Sequence, residues 1–395
     1  MHVLFATTDF VENSGPTTGL PKYLLRTSLK LVEWGNEVTI VTCSNRTVKY
    51  ELYGINVYRV RGFNIQMSGD AYRDEVGVCL RNAHIIHQTI AQIIQKVKID
   101  IIQYASLSGI AYYHDFNIPS IVRLSSYAKM WPLIDQEEIV KARTEMEIAA
   151  AKKCDAIIGP SNVVAIKFAE DIGRRVDVIE TPFVMEHITE DYTLYNCLLK
   201  DIKYLLFFGY IIEYKGVGVI AECVNNILSR YPSLYLVVIG DGDKRLINEV
   251  EINAGEFANR VIYHQAIGFG ELVPIIKNAY AVLLPSLMEN FSNACVEAMA
   301  LKKIVIGTNG VSFEQLISDG ENGFLCEPGN SQSLLDAIYR LMNLKKSEKS
   351  IMEEKAFMRT TKLVPETVTA QLVEYYENVI SDYKKQYEVM KKQDY

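Results

Sequence analysis

At 395 residues the chain exceeds the roughly 150 residues of an average domain, so about two to three domains are expected and a single small binding module is excluded. Its 49% hydrophobic and 23% charged residues exclude a disordered or collagen-like chain. Forty-one Lys and Arg against 48 Asp and Glu leave a net charge of −7, the wrong sign for a nucleic-acid partner.

Short apolar runs alternate with helix-length amphipathic segments, the pattern of a parallel sheet covered by helices on both faces. The run from His2 to Thr7 has no cationic lead and no long apolar stretch, so it reads as a first strand and not as a secretion signal. Further strands are predicted over Glu37 to Thr42, Asp100 to Tyr104, Ile118 to Leu124, Asp155 to Gly159 and Val176 to Glu180. Helices are predicted over Gly19 to Trp34, Asp74 to Lys96, Gln136 to Lys153 and Ser161 to Asp171. From Thr181 to Lys203 the periodicity fails, and Pro182, Asp191 and Asn196 mark a linker.

The pattern then restarts. Strands are predicted over Lys203 to Gly209, Leu234 to Gly240, Arg260 to Tyr263, Tyr280 to Leu284 and Lys303 to Gly307. Helices fall over Val217 to Ser229, Leu246 to Ala254, Phe269 to Asn278, Ser292 to Leu301 and Ser331 to Asn343. The charge-rich run from Asn343 to Lys355 reads as a solvated helix face. Beyond it, Leu372, Tyr375, Tyr376, Val379 and Tyr383 at helical spacing describe a long helix expected to reach back to the first unit. The fold class is therefore α/β, with doubly wound units over 1–190 and 191–364 and a helix over 365–395. Ligands in open α/β sheets sit beyond the carboxyl ends of the strands, so the crevice between two such units is the expected site.

Seven scattered cysteines, odd in number and without a close pair, predict buried free thiols in a reducing cytoplasm. No run approaches the roughly 18 apolar residues of a membrane span. His84 and His87 share a helix face without a third ligand, so they read as helix-surface residues, and no metal site is assigned.

The segment with the most chemistry runs from Pro285 to Ala300. A buried strand ends at Pro285 and a helix starts near Ser292, which places Glu289 in the connecting loop and Glu297 in the helix. Ser292 is a good N-cap, and the backbone around Asn290, Phe291, Ser292 and Asn293 would present N–H groups to a diphosphate at the positive end of that helix. The eight-position spacing of the glutamates is read as two helical turns, with both carboxylates addressing one elongated ligand. A second element, Gly209-Tyr210-Ile211-Ile212-Glu213-Tyr214-Lys215-Gly216, follows a strand and opens a helix as phosphate-binding turns do, with Lys215 placed to meet a diphosphate. Gly15 and Gly19 bracket Pro16-Thr17-Thr18, either a backbone approach to a sugar or phosphate or a plain strand-to-helix loop. Gly240-Asp241-Gly242 and the run from His264 to Gly268 are either holders of a nucleotide base or ordinary turns. Neither Gly-x-Gly-x-x-Gly nor Gly-Lys-Ser/Thr follows the first strand, which removes the main support for dehydrogenase and kinase readings.

The Glu289 and Glu297 pair resembles the Glu, seven residues, Glu motif of retaining glycosyltransferase family 4, which has the GT-B fold of two facing Rossmann-like domains. Leu284-Pro285-Ser286, Glu297-Ala298-Met299-Ala300 and Asp319-Gly320-Glu321-Asn322-Gly323-Phe324-Leu325 resemble the family's donor-domain text. Gly15 to Gly19, Gly35 to Thr42 and Ala156 to Ser161 are similar to its N-terminal segments. The resemblance implies that Glu289 contacts the donor sugar or phosphate and that Glu297 holds the ribose. It further implies a UDP- or GDP-linked sugar as donor, a glycan or lipid-linked acceptor and surface polysaccharide or glycoconjugate assembly as the setting. Gly19, Gly209 and Ser125 are placed around the donor, and a peripheral membrane contact is expected to be no more than modest.

Two departures from the family stand out. Where it carries an arginine directly after the glycine this chain has Tyr210, which donates a hydrogen bond but no charge, while the lysine is kept as Lys215. Where it carries a histidine after the strand, Ser125 or Ser126 stands. Arg123 is read as a substitute cation or, more simply, as a surface strand charge. No Asp-x-Asp cluster is read at a strand end, so neither metal nor other cofactor is expected, and the diphosphate falls to Lys215 and the helix start. The rival reading is a catalytically impaired sugar-nucleotide binding or scaffold protein on the same fold.

Overall fold

The computed structural model describes residues 1–11, 19–131, 136–185 and 188–393, the side chains of the last few excepted. The chain divides into two compact units, 1–182 with 363–395 and 183–362. The expected divisions at 190/191 and 364/365 stand against 182/183 and 362/363.

In the first unit the elements run β1 (His2–Thr7), α1 (Gly19–Glu33), β2 (Glu37–Ser44), β3 (Val48–Leu52), β4 (Ile55–Arg61), α2 (Ala71–Ile94), β5 (Ile101–Ala105), β6 (Ser120–Arg123), α3 (Glu137–Ala151), β7 (Ala156–Gly159), α4 (Asn162–Ile172) and β8 (Asp177–Val178). Among the described residues the strands form one sheet in the order β3-β4-β2-β1-β5-β6-β7-β8. All neighbours are parallel except β3 and β4. That hairpin is absent from the sequence reading, which left 48–61 without a strand. Val48, Lys49 and Glu51 are exposed on an edge strand, so the segment has none of the apolar continuity of the central strands. The turn at Tyr53 and Gly54, with φ of 50° and 82°, has the positive dihedrals that a tight hairpin requires at both central residues.

The second unit contains α5 (Thr193–Leu198), β9 (Lys203–Phe208), α6 (Val217–Arg230), β10 (Leu234–Ile239), α7 (Lys244–Ala254), β11 (Val261–His264), α8 (Phe269–Asn278), β12 (Ala281–Leu283), α9 (Asn293–Ala300), β13 (Val305–Thr308), α10 (Phe313–Leu316), β14 (Phe324–Cys326), α11 (Ser331–Met342) and α12 (Lys346–Thr360). Its sheet runs β11-β10-β9-β12-β13-β14, parallel throughout. β9 reads Lys-Tyr-Leu-Leu-Phe-Phe and is buried from its second residue, as expected of a strand covered on both faces. Within the segment read as a linker lies the short helix α5. β14 was also missed, because a three-residue strand shows no period.

The last helix, α13 (Pro365–Gln393), belongs to the first unit. Val368, Leu372 and Tyr376 enter the same core as Phe5, Tyr23, Leu31 and Ile101. Inside that core the Tyr376 hydroxyl donates to Gln103 Oε1 at 2.7 Å, and Gln103 Nε2 donates to the Tyr23 hydroxyl at 3.1 Å. Both ends of the buried amide are thereby satisfied, and through it α13 is joined to β5 and α1. At the surface, Lys30 of α1 pairs with Glu366. Because the Leu372 side chain is buried in this seam, Leu372→Ala is expected to cost about 2–5 kcal/mol, read as a lowered midpoint in chemical denaturation.

Candidate functional site

The site of the second unit is built from three loops at the carboxyl ends of neighbouring strands. After β9 the chain makes a one-turn helix over Glu213–Lys215, and Gly216 opens α6 with φ 78°. A Cβ on Gly216 would stand 1.9 Å from the Pro285 carbonyl oxygen, so this position requires both the left-handed backbone and the missing side chain. Backbone bonds tie the loops together. Gly209 N–H donates to the Ile239 carbonyl at 3.0 Å, Ile211 N–H to that of Asp241 at 2.9 Å, and Asp243 N–H to that of Ile211 at 2.7 Å. Across the other side, Leu287 N–H donates to the Tyr214 carbonyl at 2.8 Å. The loops after β9, β10 and β12 thus form one hydrogen-bonded floor.

On this floor Lys215 Nζ lies 2.5 Å from Glu289 Oε2. Glu289 is 8% exposed and Asn290 is buried beside it. A carboxylate so placed keeps its charge at little cost only with a cation against it, and Lys215 supplies that cation. The lysine side chain is more open than the glutamate, and an ammonium has three donors, so an incoming anion can engage it while the pair persists. Burial pushes the Tyr214 phenol above its usual range, Lys215 opposes this and Glu289 adds to it. Tyr214 therefore remains a neutral donor next to the pair.

Ser292 caps α9, its hydroxyl accepting from the Cys295 N–H at 3.2 Å. The amides of Asn293 and Ala294, in the first turn, have no intrahelical acceptor by helix geometry and face the positive end of the helix dipole. Phe291 and Asn293 are half-buried. Burial, reinforced by Glu289, drives the Cys295 thiol well above its ordinary range, so it is an inert core group.

Several expectations are corrected. Only Glu297 lies on α9, where it is half-buried; Glu289 precedes the helix, so the two-turn argument for a shared face does not apply. Asp241-Gly242-Asp243 is an Asp-x-Asp triplet immediately beyond β10, contrary to the reading that none stands at a strand end. Its carboxylates are engaged locally. Asp243 Oδ1 accepts the Arg245 N–H at 2.8 Å, and Asp241 Oδ1 accepts the Ala266 N–H at 3.1 Å.

Arg123 is neither an open cation nor a surface charge. It is 3% exposed in the core of the first unit, with its guanidinium carbon 3.7 Å from the Tyr23 ring centroid and Nη2 donating to Thr181 Oγ1 at 3.2 Å. β6 is a parallel strand buried on both faces, and stacking on an aromatic ring accommodates the charge there. His84 and His87 are not plain surface residues either. His84 packs against Phe63 and Tyr113, and His87 stacks on Phe116 at 4.6 Å and meets Asp115 at 2.9 Å.

Of the remaining expected donor-site residues, Tyr210 is 64% exposed beside Gly209. Gly19 and Ser125 belong to the first unit, at the start of α1 and just after β6, with the Ser125 N–H donating to Ser106 Oγ at 3.3 Å. Gly15 and the run 16–18 lie outside the described residues. The sequence reading missed Arg245, which pairs with Glu213 and fastens the Lys215 turn to the start of α7. An Arg two residues after an N-capping Asp is the local signal; its partner lies far away in the chain.

Residues 198–357 match the family model described as Glycosyl transferases group 1. An uncharacterized glycosyltransferase of Methanocaldococcus jannaschii is 27% identical over 207 residues, covering 52% of this chain and 54% of that protein. The 2-deoxystreptamine N-acetyl-D-glucosaminyltransferase of Niallia circulans is 26% identical over 42% of this chain and 40% of its own length. The chain thus spans about half or less of these two relatives. A phosphatidyl-myo-inositol mannosyltransferase of Mycolicibacterium smegmatis is 20% identical over 91% of this chain and 90% of that protein. Among solved structures, sucrose-phosphate synthase from Thermosynechococcus elongatus superposes with a TM-score of 0.75 at 16% identity, covering 96% of this chain and 99% of that one. Anabaena HepE in complex with UDP-glucose gives 0.70 at 16% identity, covering 96% and 100%. The chain has the fold of these GT-B proteins, with two Rossmann-like units.

Proposed function

We propose that the chain is a retaining glycosyltransferase that moves a sugar from a UDP- or GDP-linked donor to a glycan or lipid-linked acceptor in surface polysaccharide or glycoconjugate assembly. The observation that carries this reading is the Lys215–Glu289 pair at the carboxyl ends of β9 and β12, on the loop that leads into α9. The match over 198–357 supports it, as does the UDP-glucose bound by HepE. The phosphatidyl-myo-inositol mannosyltransferase supports a lipid-linked acceptor as one of the two classes.

In this reading the donor diphosphate lies on Lys215 and the first amides of α9, which stabilise the charge that grows as the bond to the sugar breaks. Glu289 holds Lys215 in place and meets the sugar, Glu297 accepts from two ribose hydroxyls, and Tyr210 donates one hydrogen bond. The acceptor hydroxyl attacks the face that the phosphate leaves, and its proton passes to the departing phosphate oxygen. One glycosidic bond forms as the sugar–phosphate bond breaks, and the configuration is retained. Lys215 and the helix dipole carry the charge that a divalent metal would otherwise neutralise, so we assign no metal. Seven free cysteines support a reducing, cytoplasmic setting. Among the described residues no helix is long and apolar enough to cross a membrane.

Activity after exhaustive chelation and NMR of the new anomeric linkage test this mechanism. Persistence of activity and retention are expected; loss of activity that magnesium or manganese restores, or an inverted linkage, contradicts it. Glu297→Ala is expected to weaken nucleoside diphosphate binding by about 1.5–3 kcal/mol, the worth of a charge-assisted contact, as read by calorimetry. Unchanged affinity in the folded variant removes the ribose assignment. The exposure of Tyr210, where the resembled family carries a cation, favours the second reading of an impaired sugar-nucleotide binding protein. Donor binding without transfer or donor hydrolysis would select it.

A further inference from the structure

At the opposite end of the strands of the second sheet, Lys203 and Lys303 stand at the amino ends of β9 and β13, on either side of β12, and Lys349 approaches from α12. Lys203 opens β9, Tyr280 immediately precedes β12, and Lys303 stands just before β13. Lys203 Nζ lies 3.7 Å from the Tyr280 ring centroid, and Lys349 Nζ, from α12, lies 4.6 Å from the same centroid. Lys349 pairs with Glu353 at 2.5 Å. Among the described residues the Lys203 and Lys303 side chains form no hydrogen bond or ion pair, although Glu353 lies near enough to act on Lys303 through space. Lys203 and Lys349 are therefore held over one aromatic ring, Lys303 stands at the neighbouring strand end, and among the described residues a single carboxylate, Glu353, is paired to the group.

Burial lowers the pKa of both Lys203 and Lys303, and repulsion from Lys349 adds to it, while Glu353 opposes the shift at Lys303. The Tyr280 phenol is pushed up by burial and then by Glu353, so it stays protonated and able to donate. An arrangement that concentrates positive charge against its own solvation gains most from a compact, multiply charged anion. Ammonium groups meet phosphate as point charges and impose no planar geometry, which suits donors arriving from two strand ends and a helix.

We propose that Lys203, Lys303 and Lys349 form a binding site for a phosphate group, one strand length away from the candidate donor site. β9 separates the two by about 20 Å at the rise of an extended strand. The site does not depend on the transferase reading, since none of its residues belongs to that machinery.

The test is calorimetric titration of the full chain with inorganic phosphate at constant ionic strength, in the unsubstituted chain and in Lys215→Ala, so that any phosphate bound at the candidate donor site shows as a difference between the two. Saturable binding is expected, weakened at least tenfold by the Lys203→Gln/Lys303→Gln pair and kept by Lys203→Arg/Lys303→Arg. Lys349→Gln gives an independent loss, and thermal melting checks that each variant is folded. Co-sedimentation with phosphatidylcholine vesicles containing phosphatidic acid, against phosphatidylcholine alone, separates a lipid headgroup from a soluble phosphate. Lysine-dependent co-sedimentation assigns the phosphate to lipid, and calorimetric binding without it assigns a free phosphate. The proposal is overturned if phosphate fails to saturate, if the Gln variants bind as their parent does, or if the Arg pair loses as much as the Gln pair.

Discussion

Lys215→Ala is expected to lower turnover by about 10²–10³-fold, the usual effect of removing one preorganised donor from a developing oxyanion, with a much smaller change in donor affinity. The reason is geometric. Lys215 is held 2.5 Å from Glu289 before any ligand arrives, so its position costs no reorganisation when charge grows on the leaving diphosphate. Truncating the lysine also leaves Glu289, 8% exposed, without its cation, so some loss of stability accompanies the catalytic loss. Lys215→Ala combined with Glu289→Gln separates the two effects: melting temperature should recover while turnover does not. Tyr210→Arg in the Lys215→Ala background should restore part of the rate, since it returns a cation to the same turn. A change confined to the Michaelis constant would place the catalytic cation elsewhere.

Gly216→Ala is expected to be among the most damaging single methyls in the second unit. The residue has φ 78°, and the new Cβ would sit 1.9 Å from the Pro285 carbonyl oxygen, which is backbone and has little room to yield. A left-handed non-glycine residue costs about 1–3 kcal/mol and forced overpacking about 1–3 kcal/mol more, so roughly 2–6 kcal/mol of stability should be lost. The contact joins the Lys215 turn to the segment that carries Glu289, so turnover should fall even where the chain still folds. Gly218→Ala is the control, because its nearest neighbour is a Glu213 side-chain oxygen at 3.8 Å. It should be neutral or slightly stabilising by denaturant midpoint. Equal effects at 216 and 218 would mean that the close approach to Pro285 does not hold the loop.

How far the fold could be read from the sequence depended on how local its signals are. β1, β9 and β10 are near-continuous apolar runs followed by amphipathic helices, and the sequence reading placed strands on all three. The β3–β4 hairpin escaped because its outer strand is an exposed edge, and its turn pairs Tyr53 with Gly54, a glycine turn without the usual asparagine or aspartate. In the candidate site, Lys215, Glu289 and Ser292 each sit at a strand-to-helix junction, which a local pattern reveals. That Lys215 and Glu289 touch is tertiary: it follows from β9 and β12 being neighbours in the sheet, an order no local pattern states. Arg123 was misjudged for the opposite reason. Its charge suggested solvent, yet Ile121 and Val122 mark a strand buried on both faces, where a guanidinium has to find an aromatic ring and a hydroxyl.

Calorimetric titration of the full chain with a panel of UDP- and GDP-linked sugars, in the presence of a chelator, tests the central claim most directly. One donor should bind with one-to-one stoichiometry, and its affinity should fall in Glu297→Ala while surviving largely intact in Lys215→Ala. Failure of every donor to bind the folded chain, or binding indifferent to both substitutions, would contradict the assignment of the β9, β12 and α9 loops as a nucleotide-sugar site.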